Sequence, residues 1–127
     1  MLIYIEHPER PFKLHVFIGV EPTEISKRFN KYKKKKFYFP KGYFVPEHGE
    51  DEALTYDLGD ALPGHFCIQF LEVPKMGTLA HEVFHVVAMH MRYVNIPLNE
   101  STEETYAYMF SWLIDRITDD IKKQYKV

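Results

Sequence analysis

From Tyr106 onward, apolar side chains return every three or four positions: Tyr106, Met109, Phe110, Leu113, Ile114, Ile117 and Ile121. That period predicts a helix over residues 102–122 with one buried face. The preceding "STEE" reads as a capping box, with Ser101 as cap and Glu104 reaching back to it. A second helical pattern spans residues 78–94 and must stop near Asn95-Ile96-Pro97, since proline cannot continue it. The back half is therefore expected to be a helical hairpin.

The front half follows a different rhythm. "LIYIE" (2–6) and "KLHVFIG" (13–19) are short β-prone runs separated by the turn-like "HPERP". "PTEISKRFNKY" (22–32) predicts a helix with Pro22 in its first turn and Ile25 and Phe29 one turn apart. "KFYFPKGYFVP" (36–46) suggests two aromatic strands around Pro40-Lys41-Gly42. The acidic, turn-rich stretch 47–64 reads as an exposed loop, and "HFCIQFLEV" (65–73) is the clearest strand, closed by Pro74. The expected fold is α+β: a small twisted sheet, one front helix and two long helices.

Composition narrows the class. A chain of 127 residues, 46% of them hydrophobic, suits a single domain (1–127) with one core and is too apolar for a disordered segment. A net charge of −2 provides no global field for nucleic acid or an acidic membrane. Cys67 is the only cysteine, which rules out an internal disulfide and fits a reducing compartment. The start "MLIYIEHPERPFKLHV" lacks the pattern of a signal peptide, and no run suffices to span a bilayer. The expectation is a soluble, cytoplasmic protein. "KKKK" (33–36) beside Phe37, Tyr38 and Phe39 is read as a solvated run, and no nucleic-acid partner is expected.

The candidate chemistry lies in "AHEVFH" (80–85). On a helix, His81 and His85 share one face about 6 Å apart, so two imidazoles there can grip one metal ion. Glu82 lies about 100° round, off the ligand face but beside the place of a metal-activated water. There it can act as general base as zinc lowers the water's pKa to ~7. His90 lies about 140° from His85 and does not join that face. His65, at the start of the strand feeding this helix, is a candidate for the cleft mouth.

A third ligand can come from Glu103 or Glu104 at the start of the next helix. The first helix carries the chain about 13 Å beyond His85, and residues 95–102 can span about 25 Å back. Both carboxylates also suit a first helical turn, where the dipole favours them. Glu103 lies nearer the centre of the apolar stripe, so the residues alone leave the choice open.

"AHEVFH" followed by "TEETYAY" resembles the gluzincin zinc metallopeptidases, in which HExxH on one helix is completed by a glutamate on the next. The HExxH helix, the loop with "NIP" and the helix opening "EExxAY" are similar to small phage-encoded metallopeptidase-like proteins. The resemblance covers residues 65–117 and leaves the first sixty without a counterpart. It implies a minimal zincin-like domain, with Zn2+ held by His81, His85 and Glu104 and with Glu82 as general base. Glu104 is favoured because the apolar positions that follow a gluzincin ligand glutamate fall on Tyr106, Met109, Phe110, Leu113 and Ile114. Tyr108 stands where some gluzincins place a carboxylate or amide, and is assigned to support a liganding histidine. The implied activity is hydrolysis of a peptide or protein substrate, held extended by edge pairing with strand 65–73. The competing expectation is a non-catalytic zinc-binding phage structural or host-interaction protein that keeps the fold. The sequence specifies neither oligomeric state nor cleavage preference.

Overall fold

A computed structural model describes residues 1–30, 53–59 and 62–125. The lysine run at 33–36 and the aromatic strands expected at 36–46 lie outside these residues. Among the described residues the fold is α+β, with four strands and three helices. In chain order they are β1 (Leu2–Glu6), β2 (Lys13–Ile18), α1 (Pro22–Asn30), β3 (Ala53–Asp57), β4 (His65–Phe70), α2 (Met76–Tyr93) and α3 (Glu103–Tyr125). None of these helices is long and apolar enough to cross a membrane.

The sheet is mixed, in the order β1-β2-β4-β3. β1 and β2 pair antiparallel, β2 and β4 parallel, and β3 and β4 antiparallel. β4 is buried along its whole length, which explains its unbroken apolar run: both neighbours are strands and both faces are covered. On one face Leu14, Val16, Phe66 and Ile68 meet Val83 and Val86 of α2 and Leu113 and Ile117 of α3. On the other, Phe17 and Cys67 meet Ile25 and Phe29 of α1. Each fully buried aliphatic side chain of this kind stabilises the fold by about 1.5–3 kcal/mol.

The expected loop at 47–64 is corrected in part. "ALTYD" (53–57) is strand β3, packed beneath α2 and hydrogen-bonded to β4. Its central Thr55 and Tyr56 favour extended backbone, but flanking acidic and glycine residues mask that short signal. A further correction concerns substrate pairing. Strand 65–73 cannot offer an edge, because β2 and β3 occupy both sides of β4.

The hairpin of helices is set by two polar devices. α2 ends where Asn95 adopts a left-handed backbone, φ 60°. Ile96 N–H donates to the Met91 carbonyl at 2.8 Å and Asn95 N–H to Arg92 at 3.1 Å, the paired bonds of a Schellman stop. Pro97 then follows, as the sequence reading expected. At the start of α3 the expected Ser101–Glu104 capping box is replaced. Asn99 Oδ1 accepts the N–H groups of Ser101 at 2.9 Å and Thr102 at 3.1 Å, and Thr102 Oγ1 accepts Asn99 N–H at 2.9 Å. This ring of bonds satisfies the N–H groups that lead into α3 without a glutamate. At the strand end, Gly64 (φ +80°) permits close approach to the β1–β2 turn, since an added Cβ would meet Pro11 O at 2.8 Å.

Burial of His90 gives the core a pH dependence. Its ring is fully buried, edge-on to Phe12 at 5.1 Å and Phe66 at 6.1 Å, and neither nitrogen has a hydrogen-bond partner among the described residues. Burial first, with Arg10 and His7 adding repulsion, lowers its pKa from 6.5 to about 4. The unfolded chain therefore takes up this proton more readily than the folded one. Stability from neutral His90 is complete above pH 6.5 and is lost as pH falls towards 4, at up to about 1.4 kcal/mol per pH unit. His15, lowered to about 3 by burial and by Arg28, acts in the same direction. Urea unfolding across this range should show a shallower acid loss in His90→Phe than in wild type. An unchanged slope would remove His90 from the account of acid lability.

Candidate metal centre

α2 presents His81 and His85 on its outer face, one turn apart and both exposed. The opposite face buries Leu79, Val83, Val86 and His90, so the histidines stand outward because the core takes the other side. Their Nε2 atoms lie 3.2 Å apart, with ring centroids at 4.8 Å. Two donors on a tetrahedral ion with bonds of ~2.0–2.1 Å are about 3.3 Å apart. The pair is thus already spaced for a shared cation, which requires both rings neutral with their Nε2 lone pairs free.

Glu82 occupies a different environment from its neighbours. It is 7% exposed and points towards the sheet. Thr55 Oγ1 of β3 donates to Glu82 Oε2 at 3.3 Å. That bond fixes one carboxylate oxygen and couples the edge of the sheet to the helix. One ligand atom from each of His81, Glu82 and His85 can be chosen so that all lie within 4.8 Å of one another. The three residues form a group that could hold a metal ion.

Neither glutamate of α3 belongs to that group. Glu104 is exposed and makes no hydrogen bond or ion pair among the described residues. Glu103 is also exposed but lines a cavity of about 290 Å³ between α2 and α3, shared with Phe84, Val87, Leu98, Tyr106 and Phe110. Tyr108 is 69% exposed and lines a separate cavity with His7, Arg10 and Trp112. Its hydroxyl makes no bond to His81 or His85.

His65 is on the wrong side of the sheet for the cleft mouth. It shares the α1 face with His15, whose Nε2 lies 2.9 Å from His65 Nδ1, and Arg28 Nε donates to His15 Nδ1 at 3.1 Å. Because His15 accepts at Nδ1, its Nε2 carries the proton and donates to His65. Burial lowers the pKa of His65, with Lys13 contributing in the same direction. The alternation of β4 explains the placement: His65 and Cys67 point to α1, while Phe66 and Ile68 point to α2. Thr55 is the site residue that sequence reasoning missed, since a threonine in an acidic stretch carries no signal of a partner on another element.

Comparison with protein-family models, with curated proteins and with solved structures finds no match.

Proposed function

We propose that this protein is a zinc-dependent metallopeptidase of minimal zincin-like architecture, hydrolysing peptide bonds with Glu82 as general base. The observation that carries the reading is the 3.2 Å pairing of the His81 and His85 Nε2 atoms beside the Glu82 carboxylate. Zinc bound there supplies Lewis acidity to a carbonyl oxygen and brings a water's pKa to ~7. Glu82 accepts the water's proton and returns it to the leaving amine, while Thr55 holds the other carboxylate oxygen in place. β3, the strand that carries Thr55, takes the role of pairing an extended substrate.

The gluzincin resemblance favours Glu104 as the third ligand, and its carboxylate is committed to no other partner among the described residues. The capping role that the sequence suggested for it belongs to Asn99 and Thr102. Glu104→Gln is therefore expected to weaken zinc at least about tenfold without loosening α3, and Glu103→Gln to change affinity little. Competition with a chromogenic chelator measures both. The reverse ranking would assign the ligand to Glu103, which lines the cavity alongside Phe84 and Val87 of α2.

One observation favours a second reading, a metal-binding protein without catalysis: neither glutamate stands with the histidine pair. A purely structural metal, however, needs no buried carboxylate at position 82. Peptide-library digestion by zinc-loaded wild type separates the two readings. Cleavage abolished by chelator supports the peptidase, and no cleavage across a broad library supports the non-catalytic protein.

A further inference from the structure

The turn between β1 and β2 meets the outer side of α3 around a cavity of about 300 Å³. His7 and Arg10 line it from the turn, and Thr105, Tyr108, Met109 and Trp112 from the helix. Positions 105, 108, 109 and 112 fall three and four residues apart, which places them on one face of α3. α2 contributes no wall, so this cavity is separate from the one that Glu103 lines and from the His81–His85 pair.

Its lining is divided by chemistry. Met109 is buried, and the Trp112 indole lies 4.8 Å from the His7 ring at 60°, a wedge of apolar and aromatic surface. The polar side carries donors. Arg10 is part-buried, and its guanidinium has no carboxylate partner among the described residues, where the ion pairs are Lys13–Glu6 and Lys27–Glu24. A guanidinium held partly out of water without a counter-charge bears a desolvation cost that an anion would offset. His7 Nδ1 accepts the Glu9 N–H at 3.0 Å, which leaves Nε2–H as its donor in the neutral ring. The hydroxyls of Thr105 and Tyr108 complete the polar wall.

We propose that this cavity binds a small organic monocarboxylate, its carboxylate paired with the Arg10 fork and its apolar body set against Trp112 and Met109. Arg–carboxylate pairs are bidentate and charge-assisted, so one guanidinium suffices to orient such a ligand. The charge count favours one negative charge over two. Burial foremost, and Arg10 next, lower the His7 pKa, while Glu9 opposes them. Arg10 is then the single full cation of the wall. The volume lies at the lower end of small-molecule sites, room for one ring or a short branched chain.

Trp112 is the only tryptophan in the chain, so intrinsic fluorescence reports on this cavity directly. The full-length protein would be titrated with phenylacetate, with its uncharged isostere phenylacetamide and with inorganic phosphate. Phenylacetate should give a saturable change in the millimolar range or below, and the other two should bind at least about tenfold more weakly. Arg10→Gln should weaken phenylacetate by a similar factor with an unchanged circular dichroism spectrum. If that variant fails to fold, Arg10→Lys, which keeps the charge but loses the fork, should show intermediate affinity. Absence of a saturable signal, equal binding of phenylacetamide, or full affinity in the folded Arg10 variant overturns the site. Phosphate binding more tightly than phenylacetate overturns the monocarboxylate assignment.

Discussion

Glu82→Gln is expected to abolish peptide hydrolysis while leaving zinc binding and the fold nearly intact. The side chain is 7% exposed and accepts a hydrogen bond from Thr55, and glutamine is nearly isosteric with glutamate. Its carbonyl oxygen can still accept from the Thr55 hydroxyl, so the link between β3 and α2 is retained. The amide cannot take a proton at neutral pH, and the loss should be at least the ~10²–10⁴-fold typical of a positioned acid–base group. Rates would be compared at equal zinc occupancy on one peptide substrate. A variant that cleaves as fast as wild type would remove Glu82 from the chemistry. Parallel loss of metal and activity would recast it as a ligand.

His85→Ala carries the second large effect. The pair is held by the helix, with its two Nε2 atoms 3.2 Å apart, so removing one imidazole leaves a single histidine at the surface. Both side chains are exposed and outside the core, and the apo fold should therefore tolerate the change. Alanine also favours helix. Zinc at about 100 times its Kd should stabilise wild type by about 2.7 kcal/mol, and His85→Ala by close to none. Thermal unfolding with and without zinc reads this difference. Equal stabilisation of both proteins would place the metal elsewhere.

The candidate site was legible because its main elements are local. His81, Glu82 and His85 sit within five residues on one helix, where periodicity alone fixes their relative directions. The same rule kept His90 off the ligand face, and proline chemistry ended α2 before Pro97. Features that depend on contacts between distant segments were not legible. Thr55 meets Glu82 only because β3 pairs with β4 beneath α2, and a five-residue strand among acidic residues has too little pattern to announce itself. Strand 65–73 was recognised, but its place inside the sheet follows from parallel pairing with β2, which no local signal encodes. The STEE sequence misled for a related reason: Asn99 and Thr102 close a tighter ring that takes up Ser101 as a donor and leaves Glu104 out of it.

Zinc titration of metal-stripped wild-type protein tests the central claim most directly. The expected result is tight binding of about one zinc per chain, with proton release on binding. Protein that remains folded yet binds no zinc, or binds it equally well after both histidines are replaced, would contradict the claim.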